Sequence, residues 1–246
     1  MRIGRDDLTV IVPTLNEAEN IVRFLTSVPP DVAIVVVDSS DDDTADIIAG
    51  TRPSTLVIRA RANIPVARQI GGDASSTRWL LFTDADVVFA PDYFTALEQL
   101  DLPDRAGGVV GTKSTADGFD LYHRWFVRGQ GLLAAFGIPA ASGSNMLVSA
   151  DALEHVGGFD PALSVNEDTE VMFRIKRHGY PVAFSRRLTV QSFDHRRLEA
   201  GLARKILHGA MRNTALYLGL LPERVRRSDW GYWTRVAGTT DVTRNG

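Results

Sequence analysis

Short runs of consecutive apolar residues, separated by stretches whose apolar positions recur every three or four residues, organise the first hundred positions of the chain. The runs are Leu8-Thr9-Val10-Ile11-Val12, Ala33-Ile34-Val35-Val36-Val37, Leu56-Val57-Ile58 and Trp79-Leu80-Leu81-Phe82. Each has strand length and none alternates with polar residues, the pattern of strands covered on both faces. Between them, Glu17 to Ser27 spaces Ile21, Phe24 and Leu25 along one helical face, with Pro29-Pro30 as its stop. Thr44 to Ala49 and Ala67 to Ala74 predict shorter helices, the first preceded by N-cap candidates in Asp41-Asp42-Asp43, and Pro91 opens another running through Leu97. Strand and helix alternate, so the chain predicts an α/β fold: a Rossmann-like, open, mainly parallel sheet with helices on both faces.

After about residue 105 the alternation loosens. Strands are expected at Gly108 to Thr112 and Asn145 to Ser149, around a long helical stretch from Phe119 to Phe136. A further helix spans Asp168 to His178, ended by Gly179, and a C-terminal helical extension runs from Leu198 to Leu218 before Pro222. No internal repeat or linker interrupts the pattern. The expectation is one domain over residues 1–220, with residues 8–105 as one half, 106–200 as the other and 195–220 as the C-terminal helix, followed by a polar tail over 221–246.

Composition narrows the classes. The chain has 246 residues, 44% hydrophobic and 23% charged, enough to bury a full core. It has no cysteine, which excludes disulfides, thiolate metal sites and cysteine nucleophiles. The first residues are polar and carry no signal-peptide core, and the longest apolar stretch, Gly131 to Ala141, is too short to span a bilayer, so a cytoplasmic location is expected. The net charge of −3 is uneven. Arg186 to Arg227 holds ten Lys/Arg against three Asp/Glu, a basic segment of +7 on a body of −10. With Trp230, Tyr232 and Trp233 beyond it, that segment could meet an anionic membrane from the cytoplasmic side; the same amphipathic pattern also suits a helix packed on its own domain. It carries no nucleic-acid recognition motif, and no nucleic-acid partner is expected.

In open α/β sheets ligands bind beyond the carboxyl ends of the strands. Here those ends are polar: Pro13-Thr14-Leu15-Asn16-Glu17 after the first run, Asp38-Ser39-Ser40-Asp41 after the second, Thr83-Asp84-Ala85-Asp86 after the fourth. Each cluster alone suits helix capping. Three on one rim suggest a ligand. Asp84 and Asp86, two residues apart in an extended segment, can both approach one hard cation, and magnesium or manganese shared with substrate phosphates is the natural choice.

These pieces, with Ala67-Arg68, Gly143-Ser144-Asn145-Met146-Leu147-Val148, Gly157-Gly158-Phe159-Asp160 and Glu167-Asp168-Thr169-Glu170, occur in the order found in family 2 nucleotide-sugar glycosyltransferases of the GT-A fold, which the chain resembles over roughly residues 8 to 200. The resemblance implies transfer of one sugar from a UDP- or GDP-linked donor to a hydroxyl acceptor, which could be lipid-linked, with Mg2+ or Mn2+ as cofactor. It implies that Pro13, Thr14, Asn16, Glu17 and Asp38 line the base and ribose pocket, that Arg68 lies near the base or diphosphate, and that Asp84 and Ala85 meet the donor. Gly143, Ser144 and Asn145 would contact the donor sugar. Asp86 would hold the metal with His195, Asp168 would be the general base of an inverting reaction, and Glu167 would orient the acceptor. Helix capping by Asp168, a plain turn at Gly143-Ser144-Asn145 and a surface role for His195 are the structural alternatives. The Gln-X-X-Arg-Trp motif of processive synthases is absent, with Ser185-Arg186-Arg187-Leu188 in its place, which favours a single transfer. A retaining transferase, a nucleotidyltransferase and a non-catalytic nucleotide-sugar binding module are the competing functions. The second lacks its glycine-rich loop, since Pro13 to Glu17 contains no glycine.

Overall fold

A computed structural model describes residues 1–115, 129, 141–163 and 165–193. The expected helices at 119–136 and 198–218, His195 and the tail over 221–246 lie outside these residues. Eight strands form one sheet: β1 (Leu8–Thr14), β2 (Ala33–Asp38), β3 (Leu56–Arg59), β4 (Trp79–Phe82), β5 (Val87–Phe89), β6 (Gly108–Thr115), β7 (Met146–Ser149) and β8 (Val182–Ser192), in the order β3-β2-β1-β4-β7-β6-β8-β5. The described helices are α1 (Ile21–Ser27), α2 (Thr44–Thr51), α3 (Ile64–Asp73), α4 (Tyr93–Glu98), α5 (Ala150–His155) and α6 (Glu167–Arg177).

The first four strands in chain order pair in parallel, as their continuous apolar runs predict. The second half is mixed. β7 runs antiparallel to both β4 and β6, β6 and β8 are parallel, and β5 lies antiparallel at the outer edge of β8. Antiparallel neighbours need no crossover helix, so the loss of βαβ alternation after residue 105 turns a mainly parallel expectation into a mixed sheet.

The pleat sorts alternate residues into two cores. Leu8, Val10 and Val12 of β1, Ile34 and Val36 of β2, Trp79 and Leu81 of β4 and Leu147 of β7 pack with Phe24 of α1, Ile48 of α2 and Tyr93 and Leu97 of α4. Their neighbours Ile11, Leu80, Phe82, Met146 and Val148 point the other way, onto Leu153 of α5 and Val171, Met172 and Ile175 of α6. Val35 and Val37 meet Ala67 of α3 on that second side. Helices therefore cover both faces, as the sequence predicts.

Local signals set the helix ends that matter for the site. The Asn63 side chain accepts the Val66 N–H at 3.1 Å and Pro65 stands in the first turn, fixing the start of α3. α6 carries Glu167, Asp168 and Glu170 in its first turn and Arg174, Lys176 and Arg177 in its last, both matched to the helix dipole. Gly179, with φ +86°, ends it in the left-handed conformation that a side chain would strain.

Asn145 ties three elements together just before β7. Its amide nitrogen donates to the carbonyls of Thr112 (2.9 Å) and Leu188 (3.0 Å), and its oxygen accepts from the Tyr93 hydroxyl at 2.6 Å, all out of solvent. A Cβ on Gly111 would overlap this amide, which explains the glycine there. Tyr93→Phe should leave the Asn145 oxygen without that donor and cost about 1–3 kcal/mol in urea unfolding; an unchanged midpoint would contradict the tie.

Candidate functional site

The β-strand carboxyl ends and the N-terminus of α6 converge on one rim of the sheet. At its centre lies Arg68, projected from α3 and only 2% exposed. Nη1 donates to Oε1 of Glu167 at 2.5 Å and Nη2 to Oδ1 of Asp84 at 3.1 Å. The other oxygen of Asp84 accepts the Ser144 hydroxyl at 2.6 Å, and Lys113 Nζ donates to the same hydroxyl oxygen at 3.1 Å. Asp168 closes the ring: Oδ2 accepts the Gly143 N–H and Oδ1 the Thr169 N–H, each at 2.6 Å. A Cβ on Gly143 would overlap the Arg68 guanidinium, so the absence of a side chain is what lets this backbone lie against the cation.

Burial works against charge at both acids of α6. The Glu167 carboxyl is pushed up to about 7, chiefly by burial and also by neighbouring Asp168, with Arg68 pulling the other way. Asp168 is likewise raised by burial, against the pull of Arg68 and of its two N–H donors. Arg68 keeps its charge. Two carboxyls at the start of one helix thus share one buried cation.

The second part of the rim is at the ends of β1, β2 and β3. Thr14, Asp38 and Arg59 stand in register across the three strands. Oδ1 of Asp38 accepts the Thr14 hydroxyl (2.7 Å), the Ser40 hydroxyl (2.5 Å) and the Ser40 N–H (3.2 Å). Oδ2 lies 2.8 Å from Arg59 Nη1 as an ion pair, out of solvent and without an aligned hydrogen bond. Asn16, held at φ 56°, donates its N–H to Ser40 Oγ at 2.8 Å and accepts the Asp41 N–H at 3.0 Å. Glu17 accepts from Asn20 at 2.8 Å, and its own N–H donates to Thr44 Oγ1 at 3.0 Å. Pro13 is half-buried in the same strand end. Capping explains part of the acidic run, since Asp42 accepts the Thr44 N–H at 3.1 Å while Asp41 pairs with Arg61 at the surface.

A model of the glycosyltransferase-like family 2 matches residues 5–206. The chain belongs to this glycosyltransferase family. Among curated relatives of this family 2 enzyme, the succinoglycan biosynthesis protein ExoA of Rhizobium meliloti (strain 1021) is 27% identical over 207 residues, 73% of this chain and 62% of its own length. A pre-mycofactocin glycosyltransferase of Mycobacterium tuberculosis (strain H37Rv) is 24% identical over 218 residues, covering 82% of this chain and 46% of its own. The chain therefore spans less than two thirds of either relative. Among solved structures, the mannosyltransferase PcManGT of Pyrobaculum calidifontis, in complex with GDP-Man and Mn2+, superposes with a TM-score of 0.66 at 22% identity, over 96% of this chain and 77% of that one. GalNAc-T7 with UDP, GalNAc and Mn2+ gives a TM-score of 0.60 at 17% identity, over 75% of this chain and 43% of its own. The fold is GT-A.

The structure of this glycosyltransferase brings Arg68, Asp84, Gly143, Ser144, Glu167 and Asp168 together, and groups Pro13, Thr14, Asn16, Glu17 and Asp38 on the adjoining strand ends. Three placements differ from what the sequence suggests. Arg68 is buried among carboxylates instead of open to a diphosphate, Asn145 spends its whole amide inside the fold, and Ala85 packs its methyl in the core. Ser40, Arg59 and Lys113 were missed. Their signal was weak, a serine and two cations whose partners lie 31 residues away or across a strand pair.

For a divalent cation the available donors are hard oxygens. Asp84 is engaged by Arg68 and Ser144, and half-buried Asp86 stands two residues beyond it at the same strand end. No group of three or more His, Asp or Glu that could hold an ion occurs among the described residues. A site with one protein carboxylate fits Mg2+ or Mn2+, which commonly complete their shell with substrate phosphates and water.

Two outcomes follow from the Arg68 cluster. Arg68→Met should destabilise the protein by about 3–5 kcal/mol in urea, because buried Glu167 and partly exposed Asp84 lose their cation; a loss below about 1 kcal/mol would mean the cluster relaxes without it. The raised Glu167 carboxyl holds a proton in the folded state that the unfolded chain releases near its ordinary value of 4.5. Its contribution to stability is therefore complete below that value and lost as pH rises through about 7. Melting temperatures from pH 5 to 8 should fall more steeply in the wild type than in Glu167→Gln.

Proposed function

We propose that this family 2 glycosyltransferase moves one sugar from a nucleotide diphosphate sugar to a hydroxyl acceptor with inversion. The observation carrying this reading is the Arg68 cluster, which sets the Asp84 strand end and the acids of α6 around a common cation. Thr14, Asp38 and their neighbours hold the nucleoside at the adjoining strand ends, and Ser144 and the Gly143 backbone face the donor sugar. Asp168, oriented by the Gly143 N–H, takes the proton of the acceptor hydroxyl as that oxygen attacks the anomeric carbon. The bond from the anomeric carbon to the phosphate oxygen breaks, and the nucleoside diphosphate leaves with the electron pair. Asp86 would hold the divalent cation, with His195 as a further ligand, and a cation there would supply charge neutralisation for the leaving diphosphate. Glu167, fixed by Arg68, orients the acceptor. The complexes of structurally similar proteins with GDP-Man and Mn2+, and with UDP, GalNAc and Mn2+, support a nucleotide-sugar donor and a metal.

Residues 1–220 form one domain in this reading, with a nucleotide-binding half over 8–105 and an acceptor-binding half over 106–200. A single sheet in which strands from both halves pair supports it. No described helix is long and apolar enough to cross a membrane. The basic segment from Arg186 to Arg227 would bring the enzyme to an anionic cytoplasmic membrane face and a lipid-linked acceptor.

The test pairs binding with turnover. Mn2+ should raise the melting temperature with a nucleotide diphosphate in the wild type and not in Asp86→Ala. Asp168→Asn should keep that stabilisation and lose transfer by at least about 100-fold, while wild-type kcat/KM rises with pH along a limb above the ordinary carboxylate range. Full activity in Asp168→Asn would remove it as the base.

A further inference from the structure

The chain that leads from α5 into α6 turns at Gly157 and Gly158, both left-handed at φ +78° and +75°. This turn is gripped from both sides. From α6, Arg174 donates Nη1 to the Val156 carbonyl at 2.5 Å and Nη2 to the Gly158 carbonyl at 2.7 Å. The same guanidinium is held in place by Glu170, to which it donates Nε at 2.6 Å and Nη2 at 2.8 Å. From α3, Gln69 Oε1 accepts the Phe159 N–H at 2.9 Å, and Gln69 Nε2 donates to Asp73 at 2.7 Å. A Cβ on Gly158 would overlap the Gln69 amide, so the glycine serves this close approach as well as the backbone angle. Asn63, at the start of α3, donates Nδ2 to the Pro161 carbonyl at 3.0 Å. The Phe159 ring meets that of Phe82, the last residue of β4, edge to face at 5.0 Å.

α3 thus holds the approach to α6 at Phe159 and Pro161, and the first turn of α6 at Glu167, through Asn63, Gln69 and Arg68. These holds differ in what they fix. Arg68 reaches Glu167 through two long side chains, which can turn about their own bonds while the helix start shifts. Gln69 and Asn63 bind main-chain atoms, and so set where the backbone itself lies. Resting on the base reading above, we propose that Gln69 is a positioning residue for Asp168, setting the level at which the first turn of α6 meets the Gly143 backbone. The Gly143 N–H reaches Asp168 Oδ2 at 2.6 Å, and a charge-assisted hydrogen bond this short weakens steeply when its partners are displaced. Displacement of a reacting group by about 1 Å can cost on the order of 100-fold in rate. Loss of the Gln69 hold therefore reaches the base without touching the nucleotide end of the rim.

The Gly143 amide reports the place of Asp168 without any turnover. In NMR of the isotope-labelled chain, Gln69→Leu should move that resonance toward the position it takes in Asp168→Ala, which lacks the acceptor. Exchange of the Gly143 amide with solvent should rise at least about tenfold. The paired exchange Gln69→Glu with Asp73→Asn keeps an acceptor for the Phe159 N–H and a bond between the two side chains, and should restore both signals. Asn63→Asp retains the cap on Val66 and loses the Pro161 bond, so it should give a smaller shift in the same direction, and it stands in for Gln69→Leu if that variant does not fold. In Gln69→Leu, kcat should fall about tenfold while stabilisation by UDP or GDP with Mn2+ is kept. An unmoved Gly143 signal in the folded variants overturns the proposal alone. Joint loss of nucleotide binding and turnover also overturns it, because Gln69 then supports the rim as a whole. Full activity in Asp168→Asn overturns the base reading and this inference with it.

Discussion

The buried charge of Arg68 is the constraint around which the rest of the site is arranged. A guanidinium taken out of water is tolerated only when anions and hydrogen-bond acceptors replace its hydration, and Glu167 and Asp84 do this at Nη1 and Nη2. That requirement links α3 to the end of the next strand, β4, and to the first turn of α6, 99 residues beyond Arg68. It also fixes Gly143, whose backbone must lie against the cation in order to donate to Asp168. Movement of any one of these pieces would leave a charge uncompensated in a dry environment, so they form a rigid unit.

The adjoining strand ends are built on a different principle. Asp38 is compensated largely by hydroxyl and backbone dipoles, with its one cation half in solvent. Neutral donors hold a carboxylate in position without cancelling its ability to accept a further hydrogen bond at the other oxygen. Arg59 pairs with Asp38 and also donates to the Ser40 carbonyl at 3.3 Å with its side chain partly in solvent, whereas Arg68 is buried. The rim therefore combines a buried electrostatic centre at Arg68 with a strand end whose carboxylate is held mainly by neutral donors.

Most of the sheet was legible from the chain because its signal is local. Apolar runs of strand length identify β1 to β4, and the polar residues following them mark the rim. The second half carried less. β5, only Val87 to Phe89, is too short to announce itself, α5 follows β7 without a break, and the eleven residues of β8 include the charged pair Arg186-Arg187. Antiparallel placement of β7 depends on pairings across 60 or more residues, which no local pattern encodes. The site divides in the same way. Residue types at strand ends pointed to Asp38 and Asp84, and the family resemblance to Asp168, but whether a polar side chain faces a ligand or satisfies the fold depends on its partners in space. Asn145 and Arg68 show this most clearly: both stand in motifs that suggest ligand contact, and both spend their hydrogen bonds on other protein groups.

Adjacent acids at a helix start, Glu167 and Asp168, raise the question of which is suited to take a proton. Both are raised by burial, yet their surroundings differ in kind. Glu167 gives an oxygen to a fully buried cation at 2.5 Å, so gaining or losing a proton there disturbs the ion pairs that hold the cluster. Asp168 is less enclosed and is held by two backbone N–H groups, and Arg68 acts on it through its charge without a direct ion pair. A base needs a fixed direction, a raised basicity and surroundings that tolerate its change of charge. Asp168 meets the third condition and Glu167 does not, because Arg68 stays compensated by Asp84 and Glu167 whichever protonation state Asp168 adopts. In the proposed reaction, the division of labour between two neighbouring carboxyls would follow from where one guanidinium is buried.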